Sequence, residues 1–270
     1  MAIEAVDLTP AIGSKIIGSP ENVLQPETAA QLRKLLVERG VLVFPELNLT
    51  DEQQVQLADM MGNLRSEGEK GIFKVTLDGG INAKAEYLKG SWLWHMDGTH
   101  DDVPVFASLL TGRVLSKEGG QTGFANSYAA YEALSPEMKA RLEGLKVVHS
   151  FATSMSRADV SPTAENVAYW RSIPDKTHSL VWPHKSGRKS LVIGCHASHV
   201  VGMDRKESDA LLAELLDWVT QPQFTYWHQW KPGDLLIWDN TGVLHRARPY
   251  PLDSGRVMHR TTLLGEEAFA

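Results

Sequence analysis

The chain has 270 residues, of which 43% are hydrophobic and 22% charged, a balance that supplies a packed core and excludes a disordered chain. Lysine and arginine total 27 against 33 acids, so the net charge of -6 excludes a broad basic face for nucleic acid or anionic membrane and leaves a small molecule as the expected partner. Cys195 is the single cysteine, which excludes an intrachain disulfide and a cysteine-rich metal site and fits a reducing cytoplasm.

The opening Met1-Ala2-Ile3-Glu4-Ala5-Val6-Asp7 carries acids where a secretory leader needs bases and an apolar run, so no export is expected. No apolar run approaches the roughly 18 to 20 residues of a membrane-spanning helix, which predicts a soluble protein. A single domain over residues 1–270, assembled as a homo-oligomer, is the expected organisation.

Leu32, Leu35 and Leu36 keep helical spacing between Pro26 and Arg39, and Gly40 supplies a stop. Val41 to Phe44 then reads as a buried strand. Thr50 with Gln53 forms a capping box that opens a second helix through Met60, with Gly62 to end it. Ser135-Pro136 marks a short helix closed by Gly144, and Asp204 with Glu207 a longer one carrying Leu211, Leu212, Leu215 and Leu216.

Strands are expected at Phe106–Leu110, Val147–Phe151, Ser190–Ile193, Phe224–Trp230, Leu235–Trp238 and Val257–Leu264, all rich in β-branched or aromatic residues. Pro232-Gly233-Asp234 is a turn signal, expected between antiparallel neighbours. Early helices and later strands give an α+β class with a largely antiparallel sheet. Residues 154–189 hold three X-Pro steps and little periodicity, so a loop beside the active site is expected there.

His95-Met96-Asp97 places an imidazole and a carboxylate two residues apart, which on an extended strand share a face. Two histidines and one carboxylate on one face of an octahedral ion leave three positions for cosubstrate and oxygen, the arrangement of non-haem Fe(II) oxygenases. With ten histidines and 33 acids a His-x-Asp also arises by chance, and His100-Asp101-Asp102 is a second instance. The remaining ligand must come from elsewhere, and His245, after the strand-like Leu235–Trp238 and the turn-like Asp239–Gly242, is the best-placed candidate.

Trp94-His95-Met96-Asp97, Gly119-Gly120-Gln121-Thr122, Trp238-Asp239-Asn240 with His245, and Arg256 to Arg260 together resemble the taurine and 2,4-dichlorophenoxyacetate dioxygenase family. The resemblance runs from about Val41 to Leu264. It is densest between Gly187 and Arg246, where Gly187-Arg188-Lys189 and His196-Ala197-Ser198-His199 look like the 2,4-dichlorophenoxyacetate branch.

The resemblance implies a double-stranded β-helix, or jelly roll, flanked by helices, and an Fe(II)- and 2-oxoglutarate-dependent dioxygenase that consumes O2. It implies metal ligands at His95, Asp97 and His245, with His100 and Asp102 as neighbours. It further implies that Thr122 and Arg256 hold the far carboxylate of 2-oxoglutarate, a task suited to a guanidinium fork. Arg260 would then hold the anionic group of the prime substrate, and His199 is placed beside the substrate by the local likeness.

The reaction so implied releases succinate and CO2 and hydroxylates a small anionic organic molecule, which falls into two pieces when the hydroxylated carbon bears an ether or sulfonate. An aryloxyalkanoate-like carboxylate is the expected substrate. An alkylsulfonate or alkylsulfate is the alternative, but where taurine members carry a histidine after their second helix this chain reads Gly62-Asn63-Leu64-Arg65-Ser66. A metal-retaining jelly-roll binding protein would lack a ligand or the cosubstrate anchor, and both are present. A zinc hydrolase would need a motif such as His-Glu-x-x-His, which is absent. A lone arginine is ordinarily a solvated surface charge, and Trp92, Trp94 and Trp238 are assigned to packing around the metal-bearing strands.

Overall fold

The computed structural model describes residues 3–82, 85–158 and 161–269. Its largest sheet has seven strands in the order Glu4–Asp7, Ser14–Ile17, Val41–Phe44, Leu235–Asp239, Ala107–Val114, Val257–Leu263 and Phe73–Val75. All neighbours are antiparallel except Ser14–Ile17 with Val41–Phe44. Because Leu235–Asp239 is wholly buried between two neighbours, its Leu235–Trp238 part reads as a continuous apolar run without alternation.

A second sheet of three strands, Thr225–His228, Thr122–Asn126 and Val243–Ala247, is also antiparallel. Phe124, Trp238, Val243 and Leu236 pack in one buried cluster, which ties this sheet to the large one. A further three-stranded sheet orders Ala197–Val200, Lys146–His149 and Lys176–Ser179, and Val181–Pro183 pairs with Lys189–Leu191.

The expected helices form. Pro26–Arg39 begins on its proline and ends at Gly40 with φ 74°, burying Ala29, Leu32 and Leu36. Thr50 and Gln53 make the reciprocal capping box of Asp51–Met61, where Gly62 ends the helix in extended backbone at φ 168°. Ser135 caps Pro136–Leu142. Asp204 caps Arg205–Val219 by accepting from Lys206 and Glu207 N–H groups, so its own carboxylate closes the end and Glu207 is not needed for a box.

Three sequence expectations are corrected. The strand placed at Val147–Phe151 is Lys146–His149, because Ser150 accepts from the Thr153 N–H and opens a helix at Phe151–Arg157. Pro232-Gly233-Asp234 does not join paired neighbours: Thr225–His228 and Leu235–Asp239 belong to different sheets, and the turn carries the chain between them. Asp234 holds that corner by accepting from Lys231 N–H at 2.8 Å, Glu46 N–H at 2.9 Å and His228 Nε2 at 2.9 Å.

The stretch 154–189, expected as loop, holds the end of Phe151–Arg157, the helix Ala164–Ser172 with its Thr163–Asn166 capping box, and the strands Lys176–Ser179 and Val181–Pro183. Its prolines sit at element ends, where they interrupt no ladder, and its elements are too short for periodicity to reveal. No helix among the described residues is long and apolar enough to cross a membrane.

Candidate active site

The site lies where the Trp94–Asp97 segment meets the strand Val243–Ala247. His95 is not on an extended strand of its own: it forms an isolated bridge with His245, and Asp97 already enters the following turn. The carboxylate therefore reaches its neighbour from a bend rather than from the pleat. His95, Asp97 and His245 each offer one ligand atom, all within 4.8 Å of one another.

The side chains are oriented for a cation. His95 Nδ1 lies 2.8 Å from the Leu93 carbonyl, which only accepts, so Nδ1 carries the proton and Nε2 keeps a lone pair. That Nε2 is 3.7 Å from Asp97 Oδ1, and His245 Nε2 is 3.7 Å from Asp97 Oδ2. Asp97 Oδ2 is buried without a hydrogen-bond partner, a costly state for a carboxylate oxygen that a divalent ion relieves.

Burial pushes the His245 pKa down to about 3, with His95 adding to the effect, so the ring is neutral and free to ligate. Burial opposes ionisation of Asp97, but His245, Arg260 and His95 together hold its pKa below the usual carboxylate range. Two imidazoles and a carboxylate are the donor set of an iron site with open positions.

The Trp238-Asp239-Asn240 motif builds the corner that delivers His245. Trp238 Nε1 donates to Asn240 Oδ1 at 2.9 Å, and Asn240 Nδ2 donates to Ser108 Oγ at 3.0 Å. Asp239 accepts from the Thr241 N–H at 2.8 Å. The Trp238 ring then packs 4.8 Å from His245, centroid to centroid. Trp94 packs edge-on against Trp227 at 5.5 Å.

Arg256 is 5% exposed, and its guanidinium has no ion-pair partner among the described residues; it meets the Gly120 carbonyl at 3.3 Å and Tyr250, through a side-chain hydrogen bond and a ring 4.7 Å away. A buried cation so poorly matched calls for an anion. It borders a polar cavity of about 170 Å³ that Gly120, Gln121 and Trp230 also line. Gly119 and Gly120 both take positive φ, and a Cβ on Gly119 would stand 2.0 Å from the Pro249 carbonyl oxygen, so the turn against Arg256 admits glycine there. Thr122 Oγ1 accepts from Trp230 Nε1 at 2.9 Å, which leaves its own hydroxyl proton to give.

Arg260 lies between two carboxylates: Nη1 is 3.6 Å from Asp97 Oδ2 and Nη2 is 3.4 Å from Glu67 Oε2. Glu67 Oε1 also accepts from the Thr262 hydroxyl at 2.5 Å. Of the His-x-x-His pair the structure brings His196, rather than His199, against the Trp94–Asp97 segment. Met96 N–H donates to His196 Nε2 at 3.2 Å, and His196 Nδ1 contacts His149 Nδ1 at 2.8 Å, whereas His199 Nδ1 lies beside Ser198 Oγ. Asp102 turns outward to Lys176, and Asp101 pairs with Arg65 at 3.3 Å.

Glu67, His196 and Trp230 join the site without having been assigned to it from sequence. Glu67 lies on an irregular stretch with no pattern to mark it, and Trp230 carried only a strand signal. His196 was visible as half of a His-x-x-His, but spacing does not say which ring faces inward.

Residues 4–262 match the family described as "Taurine catabolism dioxygenase TauD, TfdA family". The chain is 34% identical to a (S)-phenoxypropionate/alpha-ketoglutarate-dioxygenase of Sphingobium herbicidovorans, over 99% of this chain and 96% of that one. It is 35% identical to an alpha-ketoglutarate-dependent 2,4-dichlorophenoxyacetate dioxygenase of Cupriavidus pinatubonensis, over 98% and 94%. The crystal structure of AAD-2 in complex with Mn(II) and N-oxalylglycine superposes with a TM-score of 0.86 at 32% identity, covering 100% of both chains.

The chain belongs to the TauD/TfdA dioxygenase family. It is an Fe(II)- and 2-oxoglutarate-dependent dioxygenase, an oxidoreductase that uses O2.

Proposed function

We propose that the enzyme hydroxylates a small aryloxyalkanoate-like carboxylate at iron held by His95, Asp97 and His245, and that the hydroxylated ether carbon then collapses to release two fragments. The convergence of one Asp97 oxygen without a hydrogen bond and two imidazole Nε2 atoms at 3.7 Å from its carboxylate carries the reading. The likeness to phenoxypropionate and 2,4-dichlorophenoxyacetate dioxygenases supports the substrate class. We read the seven-stranded and three-stranded sheets, joined by the Pro232–Asp234 corner, as the two walls of a double-stranded β-helix in a single domain.

Bound iron supplies activation of O2 coupled to decarboxylation of 2-oxoglutarate to succinate and CO2. Arg256 and the free proton of Thr122 hold the cosubstrate's far carboxylate, the guanidinium giving charge and the hydroxyl direction. Arg260 faces the substrate's anionic group and so fixes which carbon lies toward the metal. The Leu93 carbonyl keeps the proton of His95 on Nδ1 throughout.

A panel of small organic acids, phenoxyacetates among them, tests the reading through substrate-stimulated succinate release, with His95→Ala as the blank. Stimulation by an aryloxyalkanoate that vanishes in the variant is expected. Stimulation that survives in His95→Ala would overturn the ligand set, and stimulation by alkylsulfates alone would overturn the substrate class.

A further inference from the structure

Two arginines send their charge to Asp97, and each already holds a carboxylate. Arg65 pairs with Asp101 at the rim, with side chains 41% and 44% exposed. Arg260 pairs with Glu67 deeper in, at 24% and 17%. The planar fork of Arg260 thus has one arm toward Asp97 and the other toward Glu67, while its Nε is buried without a partner. Both Nη atoms thus face carboxylates already present, and a two-point grip through them by a substrate carboxylate requires one of these to move.

We propose that Glu67 sets the threshold for anion binding: its carboxylate occupies Arg260 in the substrate-free enzyme and gives way to the anionic group of the substrate. The inference rests on the reading of Arg260 as the substrate's cation. The backbone around Glu67 allows the exchange. Residues 65–67 are irregular, between the Leu64–Leu263 bridge and the turn that starts at Gly68, so Glu67 can swing out without opening a ladder.

Like charges set the threshold. An incoming anion beside a retained Glu67 meets repulsion, so it must displace a carboxylate that is already desolvated and hydrogen-bonded to Thr262. A bare anion brings nothing to offset that loss. A carboxylate attached to an apolar ring brings burial energy, and Phe73 lies 5.0 Å from the Arg260 guanidinium to receive part of it. The device lowers both affinities alike, so that an acetate-like anion binds too weakly to hold the site while an aryl-bearing one still binds.

The test is calorimetric, with enzyme loaded with Mn(II) and N-oxalylglycine so that no turnover occurs, titrated with phenoxyacetate and separately with acetate. Glu67→Gln keeps the size and the acceptor for Thr262 but removes the competing charge. Phenoxyacetate should bind roughly tenfold more tightly to the variant, the equivalent of one charge-assisted contact no longer broken. Acetate should gain by about the same factor, because the displacement of Glu67 is common to both anions.

Glu67→Ala, which abandons the Thr262 contact as well, should shift both affinities the same way. Unchanged or weaker phenoxyacetate binding in both variants would overturn the proposal. Arg260→Gln in the wild-type background separates the two readings. If it leaves phenoxyacetate binding intact, the assignment of Arg260 fails and the inference with it, whereas a loss there with no gain in the Glu67 variants rejects Glu67 alone.

Discussion

His95 and His245 exchange main-chain hydrogen bonds in both directions, at 3.1 and 2.9 Å, and their rings stand 4.1 Å apart. The two imidazoles, remote in sequence, are thus brought together by backbone. Asp97 joins them from the adjacent bend. The ligand set is preorganised, so binding of an ion needs little further ordering of the chain.

The Trp230–Thr122 hydrogen bond fixes which way the threonine hydroxyl points. Trp230→Phe should raise the KM for 2-oxoglutarate several-fold with kcat nearly unchanged, reflecting about 1 kcal/mol for one neutral hydrogen bond. Thr122→Val should do more, because the donor itself is lost. Steady-state kinetics with 2-oxoglutarate varied will decide, and a fall in kcat at constant KM would contradict the assignment.

His196 holds Met96, the residue between His95 and Asp97. Removing its ring leaves the Met96 N–H and His149 Nδ1 buried without partners, a cost of about 1–3 kcal/mol. His196→Phe should therefore lower the Tm and weaken Mn(II) binding several-fold, with the change in metal affinity marking a positioning role beyond stability. Unaltered metal affinity in a destabilised variant would reduce His196 to a core residue.

Buried histidines set the acid limit of the metal-free protein. Burial pushes His149 to about 3, His184 to about 4 and His245 to about 3, from an ordinary value of 6.5. Below that ordinary value the unfolded chain binds protons that the folded chain refuses, so this stability is complete above pH 6.5 and lost as pH falls toward 3.

Asp239, raised to about 6 chiefly by burial, works the other way and loses its contribution as pH rises to 6, but it is one group against three. Thermal melts of chelator-treated protein should be level above pH 7 and fall below pH 6.5. His184→Gln should make the fall shallower, since each proton is worth about 1.4 kcal/mol per pH unit. Melting temperatures that climb on acidification from pH 7 to pH 5 would contradict this.

Much of this was legible in residue order because its causes are local. Helix caps at Thr50, Ser135 and Asp204 act within a few residues, and the buried Leu235–Trp238 run needs no distant information. The candidate ligands His95, Asp97 and His245 stood out because motif and spacing mark them. What was hidden depends on tertiary choices: Phe151 has a strand-former's side chain, yet the Ser150 cap turns it into a helix. The partner sheets on either side of Pro232–Asp234, the inward face of His196 and the pairing of Glu67 with Arg260 are set by folding across the whole chain.

The most direct measurement is Mn(II) binding by calorimetry to the wild type and to His95→Ala, Asp97→Ala and His245→Ala, each first shown by circular dichroism to be folded. One ion per chain should bind the wild type, and each variant should lose at least about tenfold to a hundredfold in affinity, as expected when even an outer-shell partner is removed. Wild-type affinity in His245→Ala would mean that the ion sits elsewhere.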